Sequence, residues 1–320
     1  MRSRLLGKFF IVVAVAVVTI VMAIAPSTSI SQQAPAGAPA PAQGGGRAGG
    51  RGARGANPAA SEPTPRLPDG TVNLGRTSAD LDGNWDLQYI QNMADRVPNR
   101  PEAGARGAGR GGPRGGAASE AWIPFLPWSA AVYNYHSKNE SKYDPEGFCL
   151  PPGGPRLFAT PYPMVILQQP ELKRIYMIFE GGTHVWREIF MDGRPHPAKD
   201  KLQGSSWLGH SVGKWEGDTL VVDVANFNEG TWLDYFGHPH TDQMHVIERW
   251  TRTNKATLRY EARIDDPGAY SAPWTVTWDT PWSSDPINEY ICQENNQYLN
   301  SLKDDFGRFI IDHGEVYPKL

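Results

Sequence analysis

From Tyr162 onward the apolar residues recur at every second position, in short runs rich in β-branched and aromatic side chains. Alternate positions of an extended chain share one face, so this period predicts half-buried strands rather than helices. The runs cover residues 164–168, 174–180, 185–191, 219–224, 245–251, 257–264 and 274–278, with a last segment around Tyr290-Ile291-Cys292. Pro170, Asp192-Gly193 and similar turn formers separate them at hairpin spacing. The pattern predicts a mainly β fold, an antiparallel meander closing into a barrel, with a β-sandwich as the alternative. Helix is scarce. The spacing predicts only residues 129–137, with Ser129 as N-cap, and residues 297–305.

The N-terminal third obeys different rules. A basic start, Met1-Arg2-Ser3-Arg4, leads into an apolar run at 9–25 and then small residues, the three parts of a secretory signal. Of the two cleavage points, after Ala25 and after Ser31, the second avoids Pro26. Residues 1–31 are therefore expected to be a signal peptide, an uncleaved membrane anchor being the alternative because the run comes close to the roughly 17–25 residues that span a bilayer. No cysteine follows the run, which argues against a lipid anchor. Residues 32–65 are mostly Ala, Pro, Gly and Arg, too poor in apolar surface to order, and read as a linker. A second such island, 101–118, carries Arg106, Arg110 and Arg114 and interrupts a single β domain at 66–320.

An exported chain, periplasmic or secreted, meets an oxidising environment, where Cys149 and Cys292, the only cysteines, are expected to form one disulfide. Residues 119–320 hold eighteen Lys/Arg against twenty-seven Asp/Glu, a net of −9. An acidic folded part excludes nucleic acid as the partner, because phosphates need a basic face. No stable membrane span is expected after signal cleavage.

Two resemblances add to this reading. Gly83-Asn84-Trp85 opening a first strand resembles the start of a lipocalin or related calycin barrel, which implies that Trp85 plugs the closed end. The run Gly209-His210-Ser211-Val212-Gly213-Lys214-Trp215-Glu216-Gly217-Asp218-Thr219-Leu220-Val221-Val222-Asp223 resembles a family of exported bacterial proteins without a characterised activity. Asp144-Pro145, Cys149 to Arg156, Asp192 to Pro197, Glu248-Arg249, Asp265-Asp266-Pro267 and Pro273-Trp274 belong to the same resemblance. It implies export and fold, and no chemistry.

The candidate chemistry rests on a few constellations. Gly209-x-Ser211-x-Gly213 fits a nucleophile elbow, but an elbow needs a helix next, and a turn and strand follow here. Arg194 and His196 lie in a turn stiffened by Pro195 and Pro197, and His210 opens the next strand. Together Arg194, His196 and His210 are the candidate catalytic residues, suited to binding an anionic or phenolic group and exchanging a proton near neutral pH. His238, His240 and His245 form His-x-His-x4-His, a candidate metal set similar to a cupin's, with His245 where the cupin has Glu. Glu216-Gly217-Asp218 and Asp265-Asp266-Pro267-Gly268 read as turns rather than catalytic or metal-binding carboxylates. Eleven tryptophans are many for this length, and Trp207, Trp215 and Trp232, with Arg187, are the candidate ligand-binding residues.

These features favour an exported barrel that binds a small, partly apolar molecule in an aromatic-lined pocket. One alternative is a hydrolase, lyase or isomerase using Arg194, His196 and His210 or a metal at His238 and His240. Another is a tethered envelope module binding polysaccharide through surface tryptophans. Ligand, cofactor and oligomeric state are not specified by the sequence.

Overall fold

The computed structural model describes residues 61–98, 122–139, 143–182, 185–199, 206–294 and 296. The signal segment, most of the linker, the 101–118 island and the helix expected at 297–305 lie outside the described residues.

Nine strands form one closed barrel in chain order: β1 (Asn84–Trp85), β2 (Met164–Gln169), β3 (Arg174–Phe179), β4 (Trp186–Phe190), β5 (His210–Glu216), β6 (Thr219–Ala225), β7 (His245–Asn254), β8 (Thr257–Asp265) and β9 (Trp274–Ser283). The ring closes because β1 pairs with both β2 and β9. The calycin-like barrel expected from the sequence is the fold, and the sandwich is excluded. One correction concerns direction: β4 and β5 run parallel, and touch only through Ile189 opposite Ser211 and Phe190 opposite Val212. The register sets the end of β4 beside the start of β5, so β5 runs on in the direction of β4 past the point where β4 stops. A second correction is that Tyr290-Ile291-Cys292 adds no strand, since β1 already occupies the free edge of β9.

Alternation along the strands fills the interior. β7 sends Val246, Glu248, Trp250 and Arg252 inward, β8 sends Leu258, Tyr260, Ala262 and Ile264, and β9 sends Trp274, Val276, Trp278 and Thr280, all buried. Along the axis Phe158 meets Trp250 at 4.6 Å, Trp250 meets Tyr260 at 4.3 Å, and Tyr260 meets Trp278 at 4.7 Å between ring centres. Burying each such ring contributes about 1.5–3 kcal/mol, so these side chains form the core itself. Phe158 comes from the 3-10 turn Pro155–Ala159, which Arg156 anchors through Asp144 at 2.8 and 2.5 Å and Glu146 at 2.8 Å. The Asp144 and Arg156 of the sequence motif are thus a buried structural ion pair.

One end of the barrel is plugged by Trp85, fully buried, whose Nε1 donates to Leu74 O at 2.8 Å. Arg252 lies 4.8 Å over its ring and 4.9 Å over Trp282, and its guanidinium donates to the carbonyls of Asn73, Gly75 and Lys255. A Cβ at Gly83 would come within 2.2 Å of the Trp282 ring, so only glycine lets the first strand approach this closely.

The single α-helix among the described residues, α1 (Pro127–Lys138), starts two residues earlier than expected. Pro127 supplies the preset first-turn geometry, and Ser129 is not the cap: its buried hydroxyl donates to Ala269 O at 2.5 Å. The linker also ends sooner than Pro65. Glu62 pairs with Lys255 at 2.8 Å, and Thr64 Oγ1 donates to Arg252 O at 2.8 Å. Cys149 and Cys292 form the expected disulfide. No described helix is long and apolar enough to cross a membrane.

Candidate functional site

Parallel pairing over two residues leaves a slot between β4 and β5. It has a volume of about 520 Å³ and is lined by Trp186, Phe190, Trp207 and His210, reaching Arg187 and Ser211. Arg187 is buried and its Nη1 donates to Glu248 Oε2 at 2.8 Å, while its Nε donates to Ser211 Oγ at 2.9 Å. Tyr260 Oη and Trp250 Nε1 also donate to Glu248, each at 3.2 Å. Burial and the neighbouring Glu248 hold the Tyr260 phenol well above its ordinary pKa, so it stays a donor. Arg187 Nη2 is buried with no hydrogen-bond partner.

This geometry disposes of the elbow. Ser211 faces inward and serves as an acceptor for Arg187, while His210, its chain neighbour, lies on the opposite face of β5. Gly213 exists for packing: a Cβ there would fall 2.4 Å from Met191 Sδ and 2.8 Å from Ile189. Glu216-Gly217-Asp218 is the β5–β6 turn, its carboxylates paired with Lys214, Arg249 and Arg66. Asp266 accepts from Thr241 N and Oγ1 at 2.6 Å and from Gly268 N at 3.1 Å, so it caps a turn.

On the outer face of β5, β6 and β7 a polar cluster forms beside the slot. Val212, Asp223 and Ile247 stand side by side in register, and one step along lie His210 and His245. The loop after β4 lays His196 over them. Its turn is set by Asp192, which accepts from Arg194 Nη2 at 2.6 Å and Arg174 Nη1 at 3.1 Å; the Arg194 hydrogen bonds hold that carboxyl far below the usual range. Further on, Asn226 Nδ2 donates to Pro197 O at 2.8 Å and Lys199 pairs with Asp242 at 2.8 Å.

His196 is the hub. Its Nε2 lies 3.0 Å from Asp223 Oδ1 and its Nδ1 lies 2.8 Å from His210 Nδ1. His245 Nε2 approaches the same Asp223 oxygen at 2.5 Å. Partial burial pushes Asp223 up, but the bonds from His245 and His196 outweigh it and leave the carboxyl below its ordinary value. Burial, with His196 and Arg194 beside it, holds His210 below its ordinary value, so this ring is neutral near pH 7. Two facing Nδ1 atoms can share one proton only, which makes the chain from His210 to Asp223 a path for proton exchange. The His210 ring also stacks on Phe190 at 5.0 Å, and Arg194 lies 4.0 Å over the same phenyl.

The structure thus brings Arg194, His196 and His210 together. It adds Asp223 and His245, whose partnership sequence reasoning missed; the outward parity of Asp223 on β6 was the available signal. The expected set of His238, His240 and His245 does not converge. His238 Nδ1 faces the buried Asp234 at 2.7 Å, and His240 Nε2 faces Thr231 Oγ1 at 2.7 Å, because both lie in the packed loop before β7 while His245 sits on the strand's outer face. Of the ligand-binding candidates, Arg187 and Trp207 line the slot. Trp232 instead stacks on His136 of α1 at 3.8 Å, and Trp215 packs against the core. A platform of exposed tryptophans is not formed, since Trp186 is the one exposed tryptophan of the eleven. Compared with family models, curated proteins and solved structures, the chain matches none. Fold and site define its class as a closed, calycin-like β-barrel with a slot at its one parallel seam.

Proposed function

We propose that this is an exported protein that binds a small, partly apolar molecule in the slot between β4 and β5. The observation that carries the reading is Arg187, a buried guanidinium with an unpartnered Nη2, at a slot that Trp186, Trp207 and Phe190 also line. An unsatisfied buried donor is costly, and a ligand oxygen would satisfy it. Glu248 already neutralises Arg187, so a carbonyl or phenolic oxygen fits better than a second carboxylate. Aromatic walls with one fixed polar group are what such a ligand needs. Export is supported by the disulfide and by the basic-then-apolar start of the chain.

Titration of the intrinsic fluorescence with a panel of aromatic ketones and phenols tests this. Trp207→Ala is expected to weaken every ligand that binds by at least about tenfold, or about 1.4 kcal/mol, with the fold retained. Affinities that ignore Trp207→Ala would remove the slot as the site. Fractionation of the producing cell and N-terminal sequencing test export, with residue 32 as the expected first residue.

A second reading, an enzyme, is favoured by one observation: His210 belongs both to the slot and to the imidazole–carboxylate chain. A neutral His210 next to a bound carbonyl is placed to act as a general base for hydrolysis, elimination or isomerisation. His210→Gln is expected to abolish turnover while leaving binding intact, and turnover that survives the change would end this reading.

A further inference from the structure

We infer that His196, Asp223 and His245 form a binding site for one divalent first-row transition-metal ion on the outer face of the barrel. Among the described residues they are the one group of three possible ligands whose donor atoms all lie within 4.8 Å of one another. Two imidazole Nε2 atoms converge on a single carboxylate oxygen, at 3.0 and 2.5 Å. Bonds of about 2.0–2.2 Å from a metal to N and O ligands place those ligands roughly 3–3.5 Å apart, so small side-chain adjustments would admit the ion. Each hydrogen-bonding proton between imidazole and carboxylate stands where the metal would replace it.

The donor set selects the class of ion. Two imidazoles and one carboxylate suit zinc, iron(II), cobalt or nickel, whereas calcium and magnesium take oxygen ligands. Three protein ligands leave coordination positions open, and the surroundings keep them accessible. His245 and Asp223 are 42% and 45% exposed, at the edge of a cleft of about 460 Å³ that His196 and Asp223 line. The cations of that cleft are already engaged, Arg194 with Asp192 and both Lys214 and Arg249 with Glu216.

The supporting shell is in place as well. His196 turns its other nitrogen to His210 at 2.8 Å, the contact that fixes the tautomer and ring orientation of a ligating histidine. The strand register fixes Asp223 and His245, and the Asn226–Pro197 and Lys199–Asp242 contacts fasten the loop that carries His196. This site does not depend on a ligand in the slot, although His210 touches both.

Calorimetric titration of chelator-treated full-length protein with zinc chloride tests the inference, with cobalt(II) absorption as a second readout. The expected result is one equivalent bound at micromolar affinity or better. His245→Ala and Asp223→Asn should each weaken binding by at least about tenfold and remove the cobalt ligand-field bands. His210→Phe should weaken it by about tenfold while keeping the one-to-one stoichiometry. His245 and Asp223 are half-exposed, and thermal unfolding of each variant checks that the barrel persists; His196→Ala serves where one does not fold. Failure to bind either ion overturns the site, as does binding that is indifferent to His245→Ala and His196→Ala.

Discussion

His240 is a ring sealed in its neutral form. Its Nδ1 donates to Thr241 O at 3.2 Å, which leaves Nε2 to accept from the Thr231 hydroxyl at 2.7 Å, and burial pushes its pKa down. His136 is lowered in the same way, by burial against Trp232. Both folded-state values lie below the ordinary 6.5, so the unfolded chain takes up protons first as the pH falls. Their contribution is complete above pH 6.5 and is lost below it. The melting temperature is therefore expected to be level above about pH 7 and to fall as the pH drops below 6.5 in a buffer series. Asp234 shows the opposite charge state in an equally buried place: it accepts from Met93 N at 2.7 Å, Gly237 N at 3.0 Å and His238 Nδ1 at 2.7 Å. Asp234→Asn sets an amide against these donors and should destabilise the protein by about 3–5 kcal/mol in urea unfolding. The grouping of Arg194, His196 and His210 was legible because a Pro-stiffened turn and a strand start stand close in sequence. That His245 answers to Asp223, and not to His238 and His240, was not legible, because it depends on which strands lie side by side and in what register.

Among the elements, the seam between β4 and β5 is the one parallel junction of the barrel. β7 and β8 pair without a break from His245–Asp265 to Arg252–Leu258, whereas β4 and β5 share two positions. Across the seam Arg187 on β4 also reaches Ser211 on β5 and Glu248 on β7, beside the Phe190–His210 stack. Backbone amides of β4 and β5 are expected to exchange hydrogen faster than those of β7 and β8, as a mass-spectrometric exchange experiment would resolve by segment. Arg187→Met leaves Glu248 charged and buried, with an expected loss of about 3–5 kcal/mol. Adding Glu248→Leu should make the pair less destabilised than the sum of the single changes, a coupling that a double-mutant cycle measures directly. The strands themselves were legible from period-two patterning, since each lies half in the core. The parallel direction of β5 was not: alternation reports which face is buried and is blind to the direction in which a strand runs. α1 was placed two residues late because Ser129 looked like a cap, while Pro127 does the work of starting the helix.

At the scale of the whole molecule, the disulfide joins residues separated by 143 positions. It ties the stretch after β9 to the turn that leads into Arg156 and Phe158, and so fastens the chain's last described segment to the element that fills the barrel. Changing both cysteines to serine is expected to lower stability by up to about 5 kcal/mol in the chain-entropy model, seen as an earlier midpoint in denaturant. The barrel ring itself is shut by β1, only two residues long and the first of the described strands, against β9, the last of them. A growing chain on the ribosome therefore holds Trp85 long before Trp282 exists to cover it. β2 through β8 can assemble on their predecessors as they emerge, but the ring stays open until the final strand is made. A chain cut short before β9 has every signal for a barrel and two bare strand edges, which marks it for self-association or for a protease rather than for use.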